Sequence, residues 1–247
     1  MHRERACMGG ALESVAALGW RPGAIIDIGV AMGTEGLYSV WDVPILLIDP
    51  APANRVYMEQ IQKTHSKAQI WNVAASNKTG VAKGSYFPAM AQVALTARKS
   101  KPGWERRSFQ TMTCDDIVEQ AGVEPPFLFK LDTDWHEGEI LQGAEATLKR
   151  TEFCIIECKV FNGIKKGFTH QHLMDVMHAR GFALYDVVGL GYNDKERTIL
   201  RSIDFAFAPE GSNLFQAGFS RARKASKVYT DRRPAQREAA KQNNDFF

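Results

Sequence analysis

Residues 25–36, "IIDIGVAMGTEG", set an apolar run containing one aspartate ahead of a loop with glycines at positions 29, 33 and 36. The run Ala24 to Ile28 has the length and branched side chains of a fully buried strand, and Thr34 stands where it can cap a following helix. Glycine lets a backbone turn sharply and lets a ligand approach it closely. A strand, a glycine turn and a helix in this order therefore point to nucleotide binding, against the plainer reading of an ordinary tight βα turn.

Outward from this stretch, buried strands alternate with helical patterns, as in a mainly parallel α/β sheet. The pattern predicts helices over Gly10 to Leu18, Thr34 to Trp41, residues 53–65, Asp115 to Gly122, Glu137 to Arg150 and His170 to Ala179. Strands are predicted at Ala24 to Ile28, "PILLID", "QIWNVAA", "PFLFKLD" and "EFCIIEC". Short strands are expected around "AKGSYF" and "RSFQTMT", and residues 84–108 are expected to help enclose a substrate, as long irregular insertions often do. "FALYDVV" and "SIDFAFA" read as an antiparallel pair that closes the sheet. No internal repeat is present.

At 247 residues, 45% hydrophobic and 24% charged, the composition is that of a soluble globular chain with one sizeable core. No stretch approaches the roughly 18 apolar residues of a membrane span. The start "MHRERACMGG" lacks the apolar run of a secretory leader. Cys7, Cys114, Cys154 and Cys158 form no CxxC pair and no metal-ligand spacing, and a reducing cytoplasm is the expected setting. Asp132, Asp134, His136 and Glu157 could bind a divalent ion, but they show no diagnostic spacing and no metal is expected. The net charge of +3 is uneven. Residues 216–247 hold eight Lys/Arg against three Asp/Glu, which leaves the other 215 residues mildly acidic at −2. Domain organisation is read as one domain over 1–215 and a basic, poorly ordered tail over 216–247.

The second strand ends at Asp49, where a carboxylate can accept hydrogen bonds from both hydroxyls of a ribose. That feature serves NAD and S-adenosylmethionine equally. The spacing "GVAMG" is G-x-x-x-G, whereas pyrophosphate cradles favour G-x-G-x-x-G, and the phosphate-free cofactor is preferred. Asp27, Gly29, Val30 and Gly33 then form the loop site, and Asn72 and Ala74 are placed to edge an adenine ring. The segment "FLFKLDTDWHEGEILQGAEATL" delivers Lys130, Asp132, Asp134 and His136 at the carboxyl end of a buried strand, the side where open α/β sheets bind ligands.

With these pieces the chain resembles the FkbM family of S-adenosylmethionine-dependent methyltransferases. The resemblance covers about residues 20–208 and is carried by "IIDIGVAMG", "LLIDPAPAN", "NVAASNKTG", "KLDTDWHEGEILQGA", "IIEC" and "RSIDFAFA". The fourth piece follows the family pattern K-I-D-x-E-G-x-E-x-x-x-L-x-G-A without a gap. The resemblance implies a Rossmann-like class I methyltransferase fold, a mainly parallel seven-stranded sheet with an antiparallel last strand and helices on both faces. It also implies O-methylation of a hydroxyl on a sugar, glycan or polyketide-like small molecule. Three positions depart from the family: Ala31 stands where asparagine is common, and Asp134 and Trp135 replace the E-G pair.

Methyl transfer to a hydroxyl needs alignment and a base. Asp132 is the first candidate, as that base or as a contact of the cofactor's methionine end. His136 is the second, since its ordinary pKa lies near neutrality. Glu157 is placed to position the acceptor hydroxyl. Three rivals stand beside this reading: an NAD-dependent oxidoreductase, a non-catalytic module on a decayed methyltransferase fold, and an RNA methyltransferase using the basic tail. The mildly acidic body lacks the extended basic face of a nucleic-acid reader.

Overall fold

The computed structural model describes residues 7–95, 102–160, 168–193 and 196–217. The chain divides into two compact units, Met1–Glu210 and Gly211–Phe247. In the second unit, residues 213–217 form a helical turn in which the Phe215 N–H donates to the Ser212 carbonyl. Residues 218–247, most of the basic tail, lie outside the described residues.

The first unit is built on a seven-stranded sheet. In chain order its strands are β1 (Ala24–Ile28), β2 (Ile45–Ile48), β3 (Ala68–Trp71), β8 (Phe127–Leu131), β9 (Thr151–Lys159), β10 (Phe182–Tyr192) and β11 (Leu200–Pro209). Their spatial order is β10-β11-β9-β8-β1-β2-β3. β11 runs antiparallel to both its neighbours, and the remaining pairings are parallel. β1, β2 and β8 are buried along their whole length, which is why they read as unbroken apolar runs rather than alternating ones. From β1 the chain winds out to β3 and then returns to lay β8 against β1. The order therefore reverses between β1 and β8, and the crevice above that reversal is where such sheets bind ligands.

Helices flank this sheet: α1 (Met8–Ala16), α2 (Glu35–Tyr38), α3 (Arg55–Thr64), α4 (Cys114–Ala121), α5 (Glu137–Gln142), α6 (Glu145–Leu148) and α7 (His170–His178). Two differ from the sequence reading. The helix expected over Thr34 to Trp41 is a single turn, and Thr34 makes no side-chain cap bond. The turn is packed closely: a side chain at Gly36 would press on the backbone of Gly9, and Tyr38 is fixed on Asp27. The helix expected over Glu137 to Arg150 breaks at Gly143. The Gly143 carbonyl accepts from Asp115 N–H at 3.1 Å, and a side chain on Gly143 would collide with the Ser76 carbonyl. Asp115 then restarts the helix, accepting from the N–H groups of Ala146 at 3.0 Å and Thr147 at 2.7 Å.

The strand expected over residues 69–75 is also divided. β3 ends at Trp71, and β4 (Ala74–Ala75) belongs to a second sheet of order β4-β7-β5-β6, with β5 (Gly80–Phe87), β6 (Gln92–Ala94) and β7 (Glu105–Met112). The chain changes sheets at Asn72, whose amide donates to the Asp49 carbonyl at 2.7 Å. β5 and β7 match the two expected short strands, whereas the sequence pattern carried no sign of β6.

Candidate active site

The glycine loop rests on a buried ionic network. Asp27 is fully buried, with one carboxylate oxygen 3.0 Å from the Lys130 ammonium and the other accepting from the Tyr38 hydroxyl. Lys130 also donates to the Gly29 carbonyl at 2.8 Å and stands 3.7 Å from Asp132. Burial works against the Lys130 charge, but Asp27 and Asp132 outweigh it and hold its pKa above the ordinary value. Burial and then the Asp27 charge raise that of Tyr38. Gly29 has φ +84, and a methyl there would collide with the Asp132 carbonyl oxygen, so the ends of β1 and β8 meet as bare backbone.

Above this backbone lie two adjoining cavities that share Gly29, Pro50, Val93, Thr133 and Asp134. One, of about 400 Å³, is walled by apolar side chains from β1, β2, β4, β6 and α5. The other, of about 360 Å³, carries Asp49, Asn54, Asp132, Glu157, Lys159 and Arg201. β6 borders both cavities and the turn before it borders the polar one, so part of the 84–108 insertion lines them; residues 96–101 lie outside the described residues.

The expected cofactor residues separate between surface and support. Gly29, Asp49, Ala74 and Asp132 line the cavities. Asp27, Val30, Gly33 and Asn72 are not among the lining residues. Asp27 supports the loop from below, Val30 is buried, Gly33 turns the chain at φ +99, and Asn72 ties β3 to the end of β2. Asp49 has less free capacity than expected. Its Oδ2 accepts from Ala31 N–H at 2.9 Å and from the Asn54 amide at 3.0 Å, while Oδ1 accepts only from Ala51 N–H at 2.8 Å. A carboxylate oxygen has about two lone-pair sites, so a single place remains, on Oδ1, rather than one for each ribose hydroxyl. Burial raises the Asp49 pKa, and these three donors oppose it.

The three catalytic candidates also separate. Asp132 and Glu157 meet in the polar cavity, from the ends of β8 and β9, whereas His136 faces the apolar one. Burial opposes the Asp132 charge, but Lys130, a hydrogen bond with Glu157, and Lys159 hold its pKa below the usual range. Glu157 moves the other way: burial first, then the Asp132 charge, push it up to about 7. The two carboxyl groups line one cavity, and the charge on Asp132 disfavours a second charge on Glu157. Lys159 pairs with Glu157 and lies 3.6 Å from Asp134, which also accepts from the Gln92 amide. His136 Nε2 is 3.0 Å from Ser76 Oγ, and Nδ1 is 3.6 Å from Glu139. Burial lowers the His136 pKa, with Glu139 opposing, which favours the neutral ring.

Two of the three departures from the family pattern fall on unusual backbone. Ala31 has φ +49 and Trp135 has φ +77, the left-handed region that asparagine and glycine occupy at least cost. The backbone conformation suited to the usual residues is present while the side chains have changed. Sequence reasoning passed over Tyr38, Lys159, Gln92, Ser76 and Glu139. Lys159 was within reach, since it lies two residues beyond Glu157 and on the same face of a strand.

A family model described as the methyltransferase FkbM domain matches residues 37–184, more than half of the chain. The chain belongs to the FkbM methyltransferase family. No curated protein matches it. Among solved structures it is similar to the N-methyltransferase NodS of Bradyrhizobium japonicum in complex with S-adenosyl-L-homocysteine, at 10% identity and a TM-score of 0.43, covering 81% of this chain and 85% of that one. It is also similar to the Burkholderia thailandensis 1,6-didemethyltoxoflavin-N1-methyltransferase, at 11% identity and a TM-score of 0.43, covering 83% and 79%. A third is the Methanococcus jannaschii fibrillarin pre-rRNA processing protein, at 12% identity and a TM-score of 0.46, covering 83% and 76%. Among the described residues, no helix is long and apolar enough to cross a membrane.

Proposed function

We propose that this FkbM methyltransferase uses S-adenosylmethionine to methylate a hydroxyl of a small-molecule or glycan acceptor. One observation carries the reading. The Asp132–Glu157 pair stands in the same cavity as Asp49 and beside the bare backbone of Gly29. The residues fit the cofactor: Gly29 leaves a cradle that any side chain would fill, Asp49 keeps one acceptor site for a ribose hydroxyl, and the neighbouring cavity has the apolar walls that suit a purine. When bound, S-adenosylmethionine supplies an electrophilic methyl group on a sulfonium.

The chain's residues then have distinct tasks. Asp49 and Ala31 hold the ribose end of the cleft, and Lys130 keeps Asp132 charged and in place. Asp132 takes the acceptor's proton as the new bond forms. Loss of the Glu157 proton near pH 7 places a second negative charge beside Asp132 and raises its basicity. Lys159, between Glu157 and Asp134, limits the repulsion among these carboxylates.

The test begins with methyl-labelled cofactor and cell extract, to identify the labelled acceptor. On that acceptor, Asp132→Asn should lower turnover by roughly 10²–10⁴-fold, the usual worth of general-base assistance, with its melting temperature kept. Turnover of the wild type should rise through about pH 7, the rise should vanish in Glu157→Gln, and it should persist in His136→Ala. Unchanged turnover in Asp132→Asn would refute the assignment, and binding of NAD in place of S-adenosylhomocysteine would refute the cofactor.

A further inference from the structure

The apolar cavity contains a polar group that the chemistry above leaves unused. Its apolar walls include Ile48, Pro50 and Ile140, which suit a flat ring. Of its two carboxylates, Asp134 is already engaged by Gln92 and Lys159. Glu139 is about half exposed, with a side-chain accessibility of 47%, and its only charged or ionisable neighbour among the described residues is His136. His136 in turn is anchored on buried Ser76. Nδ1 faces the Glu139 carboxylate, which favours the proton on Nδ1, and in that tautomer Nε2 accepts from the Ser76 hydroxyl. At 3.6 Å the Nδ1–H meets one Glu139 oxygen as a dipole contact rather than a hydrogen bond, and among the described residues no hydrogen-bond donor occupies either oxygen.

We propose that Glu139, positioned by His136 and Ser76, reads the exocyclic amine of the cofactor's adenine and makes the site selective for adenine over hypoxanthine. The inference rests on the S-adenosylmethionine reading. It also assigns His136 to positioning rather than to proton transfer, in keeping with its place in the cavity that lacks Asp132 and Glu157. An amine donates to a carboxylate, whereas hypoxanthine turns a carbonyl oxygen towards it. Two acceptors then face each other in a site partly closed to water, a mismatch far more costly than a missing contact. Glu139 and His136 fall on unspecified positions of the family pattern, so this selectivity belongs to the chain rather than to the motif.

The experiment is calorimetry on the full chain with S-adenosylhomocysteine and its deaminated counterpart, S-inosylhomocysteine. The wild type should bind the adenosyl form tighter by roughly tenfold or more, as one charge-assisted hydrogen bond implies. In Glu139→Gln the ratio should fall towards one, because a carboxamide can turn its N–H to the carbonyl. His136→Ala should lower the same ratio, and His136→Asn, which keeps a donor where Nδ1 stands, should restore it. General loosening of the fold would weaken both ligands and leave the ratio alone. Equal binding of the two ligands by the wild type, or an unchanged ratio in Glu139→Gln, would overturn the proposal while the cofactor reading stood. Binding of neither ligand would remove the cofactor reading and this inference together.

Discussion

Ala31 is a small residue in an expensive conformation. Its φ of +49 places Cβ against the following carbonyl, a strain of about 1–2 kcal/mol for an L-residue. The strain persists because the Ala31 N–H donates to Asp49, and an extended conformation would redirect that bond. Asparagine tolerates the left-handed region with less strain and adds no backbone freedom to the unfolded chain, as glycine would. Ala31→Asn should therefore stabilise the protein by up to about 1 kcal/mol, and Ala31→Val should destabilise it by at least about 1 kcal/mol. Urea unfolding of both variants checks the pair; destabilisation by Asn would mean that the packing around the loop, not its backbone, controls this position. The sequence showed that Ala31 and Trp135 depart from the family but not what the departures meant. Both needed a backbone angle, and residue identity alone carries no φ.

At the scale of elements, legibility followed periodicity. β1 was read to the residue, and β2, β8 and β9 to within a residue or two, because a strand buried on both faces is an apolar run with polar ends. The errors fell where one segment serves two sheets or two helices. Nothing between residues 69 and 75 announces a change of sheet at Asn72, because the bond that turns the chain comes from Asp49, more than twenty positions away. Likewise the break between α5 and α6 is imposed by Asp115 and Ser76, both far off in sequence. The candidate cluster Lys130, Asp132, Asp134 and His136 was legible as a group of ionisable residues at one strand end. Its division between two cavities was not, since neighbours in a loop can face opposite ways.

The α5–α6 break also yields a test. Asp115 accepts from Ala146 N–H, Thr147 N–H and the Thr147 hydroxyl, and so satisfies donors at the start of a helix while joining α4 to α6. Asp115→Ala should cost about 1–2 kcal/mol, the upper range for loss of a helix cap, because more than one donor loses its partner. Denaturant unfolding measures this directly. A cost below about 0.5 kcal/mol would mean that water replaces the carboxylate easily and that the break is held by Gly143 alone.

For the molecule as a whole, charge is the property that sequence position divides most sharply. Residues 216–247 carry +5 and the remaining 215 residues carry −2. The polar cavity itself is rich in carboxylates, with Asp49, Asp132, Asp134 and Glu157 around it. The polar cavity and the basic segment thus have opposite electrostatic character, and removing the segment separates their contributions. A chain ending at Phe215 should keep its affinity for S-adenosylhomocysteine and its melting temperature to within about 2 °C, a shift below about 1 kcal/mol for a chain of this size. The same truncation should abolish salt-sensitive retention on a polyanion such as heparin, because the acidic remainder repels it. A large fall in melting temperature would show that the basic segment is part of the fold. Retention that survived truncation would place a polyanion-binding face on the body, and would return RNA to the set of acceptors worth testing.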